Sequence, residues 1–250
     1  MIVFPMAGLS SRFLNAGYTV PKYKLEIDGK SLFYKVVSSF REFFDREPIL
    51  FIIRFEDQDF LLDEIKKLGI KYPLIKYINQ NTQGQADTVY KGVEKLYQYE
   101  DERLIIFNID TIRHNFSIPQ YVLNNYDGFL EVFIADGHNW SFVKPEFQFL
   151  PMGKVLKTAE KERISNLCSS GLYGFKTIKL FKKYFKKARQ LGLRVKNEYY
   201  IAPIYNLLIE DGYNIGYYRI DSCDITPAGT PAEYSELVEK IKKKLEFNNL

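Results

Sequence analysis

Two kinds of hydrophobic pattern alternate along the first half of the chain. Ile2–Met6, Ile49–Ile53, Leu74–Ile78 and Leu104–Phe107 are short, almost unbroken apolar runs, and they predict strands buried on both faces. Between them, Leu32–Phe44, Phe60–Leu68 and Gly84–Tyr97 carry apolar residues at helical spacing. Strand and helix in alternation predict an α/β fold, a mostly parallel central sheet flanked by helices on both faces. Such sheets bind ligands at the carboxyl ends of their strands, which puts the Ala7–Arg12 loop and Asn108–Asp110 along one edge. Later the pattern changes. Phe129–Ala135, Phe142–Phe149, Val155–Ala159 and Leu172–Phe175 predict strands joined by turns, one of them at Met152-Gly153. Helices over Ile178–Leu191 and Tyr199–Ile209, a strand over Ile215–Ile220 and a closing helix over Ala232–Leu245 follow. Nothing rich in Pro and Gly separates the halves, so residues 1–250 predict a single domain.

Composition changes this picture little. With 46% hydrophobic and 26% charged residues the chain reads as an ordinary globular protein. The net charge is only +4, and the lysines at 182, 183, 186, 187, 240 and 242–244 fall on helical patterns with apolar partners. They predict solvated helix faces, and no nucleic-acid partner is expected. Cys168 and Cys223 stand far apart, without zinc or redox spacing, and suggest a reduced, cytoplasmic protein. The first apolar run is far shorter than a membrane span and has no basic segment before it, so neither leader nor membrane partner is expected.

The chemistry gathers at polar residues that end apolar runs. After the first strand come Ala7, Gly8, Ser10, Ser11 and then Arg12; ten residues on stands Pro21-Lys22-Tyr23-Lys24. Small residues at a strand-to-helix turn let backbone N–H groups close on an anion, and Arg12 and Lys22 add fixed positive charge for phosphate oxygens. Neither a P-loop nor a G-x-G-x-x-G fingerprint is present. Asp110 ends a buried strand, where a carboxylate needs a cation or several donors. His114 and His138 are the only histidines, and neither lies in a motif.

Together these segments resemble the signature of the sugar-1-phosphate nucleotidyltransferase superfamily, built on a Rossmann-like sheet of GT-A type. The opening loop resembles its small-A-G-x-x-[ST]-R pattern, and Pro21-Lys22 its P-K-P-hydrophobic pattern, with Tyr23 in place of the second proline and Lys24 in place of an apolar residue. Asn81-Thr-Gln-Gly-Gln-Ala-Asp-Thr-Val89 is similar to the family's Q-G-T-A-x-x-V segment, and Leu104–Asp110 to its apolar strand ending in G-D, with Asn108 near the usual glycine. No D-x-D pair follows, unlike in the glycosyltransferases that share this sheet.

The resemblance implies transfer of a nucleoside monophosphate from a triphosphate to a phosphorylated acceptor, with pyrophosphate leaving. It implies an N-terminal half, to about residue 112, that binds nucleotide, with Arg12 and Lys22 catalytic and Ala7, Gly8, Ser10, Ser11, Gln80, Thr82, Gly84, Gln85 and Asn108 at the nucleotide. Mg2+ is the implied cofactor, held by Asp110. The family's closing D-x-G-T-P motif is matched at Gly229-Thr230-Pro231, but Pro227 takes the aspartate's place; Asp221 and Asp224 are the nearby substitutes, and Asp224 is the expected second metal ligand. From about residue 113 onward an acceptor half is implied, with Trp140, Glu160, Lys161, Gly171, Lys196 and Glu198 as its contacts. Within the superfamily the chain is similar to the CTP:phosphoglutamine cytidylyltransferases of capsular phosphoramidate synthesis, so CTP and phosphoglutamine are the expected substrates. A hexose-1-phosphate uridylyl- or thymidylyltransferase is the alternative, and a non-catalytic nucleotide-binding module the third reading. Cytosine offers an amino donor where uracil offers an acceptor; Gln80, Gln85 and Asp87 are the candidates to receive it.

Overall fold

The structure is a computed structural model that describes residues 1–248; the last two residues of the expected 1–250 domain lie outside the described residues. The elements in chain order begin with β1 (Ile2–Pro5), α1 (Ser11–Asn15), β2 (Glu26–Ile27), β3 (Lys30–Ser31), α2 (Leu32–Val37), β4 (Ile49–Ile53) and α3 (Gln58–Leu68). They continue with β5 (Pro73–Tyr77), α4 (Gln85–Val93), β6 (Leu104–Phe107), β7 (Thr111–Arg113), α5 (Gln120–Asn125), β8 (Gly128–Ile134) and β9 (Ser141–Pro145). Last come β10 (Met152–Glu160), β11 (Leu167–Phe175), α6 (Ile178–Gln190), α7 (Ile204–Glu210), β12 (Ile215–Arg219), β13 (Ile225–Pro227) and α8 (Pro231–Asn248).

A nine-stranded sheet in the order β5-β4-β1-β6-β11-β8-β12-β10-β9 organises the fold. From β5 to β6 the strands are parallel; β11 pairs antiparallel with both β6 and β8, and β12 lies parallel to β8. Because side chains alternate across a strand, each sheet face collects every second residue. Val3, Leu50, Ile52 and Ile106 join one core with α4, α6 and α7, while Phe4, Phe51, Ile53 and Phe107 join the other with α2 and α3. Phe4 and Phe51 stack at 5.6 Å, and each fully buried side chain of this kind contributes about 1.5–3 kcal/mol.

Several expected elements are shortened or shifted, each for a local reason. The helix expected over Leu32–Phe44 passes at Ser38 into a 3-10 segment, where the Ser38 hydroxyl donates back to the Tyr34 carbonyl and Phe40 leaves helical geometry. The helix expected to Tyr97 stops at Val93, and Leu96 and Tyr99 pack on the core from a turn. Met152-Gly153 is not a turn: both residues pair with β12, opposite Tyr218 and Tyr217. The helix expected from Tyr199 begins only at Ile204, after Pro203. Lys182 is not solvated; it is buried and donates to Glu100 at 2.5 Å. No described helix is long and apolar enough to cross a membrane.

Candidate active site

The chain leaves β1 and turns through Ser10, whose backbone is left-handed (φ 51°) and whose carbonyl accepts the Phe13 N–H at 2.9 Å. The Ser10 hydroxyl accepts the Lys22 N–H at 3.2 Å, which ties the opening loop to the Pro21–Lys24 turn. Gly8, Ser10, Ser11, Arg12 and Lys22 all line one cleft of about 460 Å³, whereas Ala7 is buried in the core beneath the loop. Across the cleft floor Lys22 Nζ lies 2.5 Å from Asp110 Oδ2. Asp110 follows β6, and its carbonyl accepts the Ala228 N–H at 2.8 Å. A Cβ at Gly229 would lie 2.9 Å from Asp110 Oδ2, so glycine there leaves room around the carboxylate.

On another wall of the cleft the Gly84 turn (φ 110°) is stitched to Tyr199. Tyr199 N–H donates to Gln83 at 2.7 Å, Ala86 N–H donates to Tyr199 at 3.0 Å, and a Cβ on Gly84 would meet the Tyr199 carbonyl at 2.6 Å. Thr88 Oγ1 donates to the Gly84 carbonyl at 3.0 Å and contacts Thr82 Oγ1 at 2.7 Å. The Gln85 amide nitrogen donates to Asn108 Oδ1, and Asn108 is in turn fixed by the Gly171 carbonyl at 3.2 Å. Gly171 is thus beneath Asn108 rather than at an acceptor: a Cβ on it would stand 2.5 Å from Asn108 Nδ2. Two of the three candidates for reading the base fall away. Asp87 is buried, accepting from Gln83 N–H at 2.9 Å and Lys91 Nζ at 3.0 Å. Gln80 is exposed and does not line the cleft, while Thr82, Gly84, Gln85 and Asn108 do.

Of the residues expected at the acceptor, Glu198 alone lines the cleft, where it is joined by Tyr200. A tight turn presents them: Lys196 (φ 48°) and Asn197 (φ 65°) are left-handed, and Val195 and Glu198 exchange backbone hydrogen bonds at 3.0 Å. Lys161, itself left-handed at φ 58°, donates to the Tyr200 hydroxyl with its ammonium 4.3 Å from the ring centroid. Burial lowers the Lys161 pKa against the opposing pull of Glu160 and Glu198, and the charge of Arg12 adds to the lowering. Burial raises the pKa of Glu160, which accepts from the Ser141 hydroxyl; that hydroxyl lies 3.1 Å from Tyr173 Oη. Trp140 is turned away, its indole N–H on the Asp136 carbonyl at 3.0 Å and its ring edge-on to Phe133. Lys196 also lies outside the cleft wall.

Asp224 does not join Asp110. β7 and β13 pair antiparallel with Thr111 opposite Pro227, and the Asp224 carbonyl accepts from His114 at 2.7 Å. The two aspartates therefore sit at opposite ends of this ribbon, roughly 13 Å apart at the usual rise per residue. Asn115 Nδ2 donates to the Asp224 carboxylate at 3.2 Å. No group of three or more His, Cys, Asp or Glu able to enclose a metal occurs among the described residues. A lone strand-end carboxylate still suits Mg2+, which keeps waters and takes phosphate oxygens alongside one or two carboxylates. Thr88 and Gly229 are cleft residues inside matched segments that were not among the expected contacts, and Tyr200, two residues after Glu198, is a third.

The architecture is the nucleotidyltransferase fold. A UDP-glucose pyrophosphorylase complexed with UDP-glucose shares it at 18% identity and a TM-score of 0.76, over 97% of this chain and 98% of that one. So does the inositol-1-phosphate CTP transferase from T. maritima, at 17% identity and a TM-score of 0.70, over 96% and 95%. A nucleoside-diphosphate-sugar pyrophosphorylase from Vibrio cholerae RC9 is 42% identical, with a TM-score of 0.87, over 96% of this chain and 100% of that one. The chain belongs to the nucleoside-diphosphate-sugar pyrophosphorylase family. No protein-family model and no curated protein sequence matches it.

Proposed function

We propose that this protein transfers the nucleoside monophosphate of CTP to a phosphorylated acceptor, in the reading favoured by sequence a phosphoglutamine destined for capsule, and releases pyrophosphate. The reading rests on one observation above all: Lys22 and Asp110, 88 residues apart in sequence, meet at 2.5 Å in the cleft that Arg12 also lines. An acceptor phosphoryl oxygen is already ionised and attacks the α-phosphorus in line; the bond to the bridging oxygen breaks and pyrophosphate carries the charge away. No general base is required, and catalysis comes from positioning and from fixed charge. Lys22 holds the α-phosphate, where charge develops, and Arg12 holds the leaving pyrophosphate. Mg2+ bound at Asp110 would neutralise phosphate charge.

CTP is supported by Gln85. Its amide nitrogen donates one of its two hydrogens to Asn108, and its carbonyl oxygen is available to a base in the cleft that Gln85 lines. A carbonyl accepts from the cytosine amino group and opposes the uracil oxygen. For an amino-acid phosphate, Glu198 would face the ammonium, and Lys161, released from Tyr200, the phosphate. The single-domain organisation, with nucleotide and acceptor halves, belongs to the same proposal.

A uridylyl- or thymidylyltransferase acting on a hexose 1-phosphate is the second reading, favoured by the 42% identity to a nucleoside-diphosphate-sugar pyrophosphorylase. Pyrophosphate release, measured over CTP, UTP and dTTP against phosphoglutamine and hexose 1-phosphates with Mg2+, separates them. Activity confined to CTP with phosphoglutamine is expected; activity confined to UTP or dTTP with a hexose phosphate transfers the assignment to the second reading. Nucleotide binding without turnover on any pair would leave only the non-catalytic reading.

A further inference from the structure

The turn that carries Lys22 is anchored from behind by a carboxylate that plays no part in the chemistry above. Asp57 ends the 3-10 turn after β4 and is 4% exposed. Both its oxygens are engaged by the two residues that follow Lys22: the Tyr23 hydroxyl donates to Oδ2, and the Lys24 ammonium pairs with Oδ1. Tyr23 is 1% exposed although its edge reaches the cleft wall, and Phe60 closes the cluster, 5.3 Å from Lys24 Nζ and 5.9 Å from the Tyr23 ring. An ion pair between a buried carboxylate and a half-buried ammonium adds little stability over apolar side chains of similar volume, because desolvation offsets the attraction. What it adds is direction. Three polar groups that must meet leave the Lys22–Lys24 turn one orientation, whereas apolar side chains would let it slide.

We propose that Asp57 is a positioning residue for nucleotide binding: through Tyr23 and Lys24 it sets the turn so that Lys22 Nζ is held at Asp110 and at the phosphates. The inference rests on the assignment of Lys22 made under Proposed function. Neither Tyr23 nor Lys24 need touch substrate.

A double-mutant cycle tests it. Titration calorimetry with the Mg2+ complexes of CTP, UTP and dTTP selects the nucleotide that the parent binds most tightly. Affinity is then measured for Lys22→Ala, for the apolar triple variant Tyr23→Phe/Lys24→Met/Asp57→Leu, and for the two combined; Tyr23→Phe alone serves as the mild variant if the triple fails to fold by circular dichroism. Lys22→Ala and the triple variant are each expected to weaken binding by about tenfold, the scale for a lost bond to a charged group, and Tyr23→Phe by less. The combined variant is expected to be no weaker than Lys22→Ala, because the clip acts only through that lysine. Losses that add, or a folded clip variant that binds as the parent does while Lys22→Ala is weak, overturn the clip alone. Parental binding by Lys22→Ala, or no binding of any of the nucleotides by the parent, overturns the assignment of Lys22 and the clip with it.

Discussion

Lys22 Nζ and Asp110 Oδ2 meet at 2.5 Å, with both side chains still partly open to the cleft, at 24% and 19% exposure. In the free protein the lysine thus lies where a cation would, and a metal ion arriving at Asp110 has to displace it toward the phosphates. For a partly exposed pair the competition is worth about 0.5–1 kcal/mol, so Lys22→Met should tighten Mn2+ binding about two- to fivefold by paramagnetic resonance titration. Asp110→Asn should abolish that binding. On the proposed role of the same lysine in turnover, Lys22→Ala should lower kcat about a hundredfold or more. Weaker Mn2+ binding in Lys22→Met would refute the competition, and normal turnover in Lys22→Ala would refute the catalytic role.

Gly171 supports Asn108 from below. Its φ of 92° is a region that side chains rarely adopt, and a Cβ there would press on Asn108 at 2.5 Å. Gly171→Ala should therefore cost about 1–3 kcal/mol of stability and, by moving Asn108 off Gln85, weaken nucleotide binding as well. Thermal melting and nucleotide titration of the same preparation check both. Unchanged values in the two assays would mean that the register shift between Ser169 and Tyr173, where β11 pairs with β8, absorbs the methyl group.

The parts legible in the sequence were those that depend on local pattern. Ile49–Ile53 and Leu104–Phe107 form strands residue for residue, because an unbroken apolar run has no solvated face to fray. β7 and β13, three residues each and half polar, exist only as each other's partners, and no local signal marks them. The same division holds in the cleft. Arg12, Lys22, Gln85 and Asp110 stand inside contiguous motifs and converge as expected. Asp224 is near in sequence to the missing aspartate, but strand register carries it away from Asp110. Trp140 stands in the same half of the chain as Glu160, but its indole is held by its own turn. The Lys161–Tyr200 contact and the Asp57 clip join segments 39 and about 34 residues apart, and no spacing rule could pair them.

β7, which continues from Asp110, is held to the main sheet by a buried polar cluster. Arg113 Nε lies 3.1 and 3.0 Å from the two Glu131 oxygens, and Ser170 and Tyr218 donate to the same carboxylate at 2.7 and 2.9 Å. Glu131→Ala leaves the guanidinium, 3% exposed as a residue, with only backbone carbonyls and the Asp224 carboxylate at 4.0 Å, and should destabilise the fold by about 3 kcal/mol. Arg113→Met/Glu131→Leu removes both charges and should lose much less, a contrast that urea denaturation of the variants reads directly. Equal losses would mean that the cluster holds β7 by shape rather than by charge pairing.

Glu160 gives a pH dependence whose sign follows from its surroundings. Burial favours the neutral carboxyl and lifts its pKa above the ordinary 4.5, against the opposing effects of the Ser141 hydrogen bond and the Lys161 charge. Between the unfolded and folded values the native state binds more protons than the unfolded chain, so this residue's contribution to stability falls as pH rises through that window. Glu160→Gln keeps the shape and an acceptor for Ser141 but cannot ionise. Melting temperatures measured near pH 5 and again near pH 8 should therefore show the variant gaining on the parent as pH increases. A parent that instead gains on the variant would mean that Glu160 is held ionised in its buried place beside Ser141, its charge balanced chiefly by Lys161.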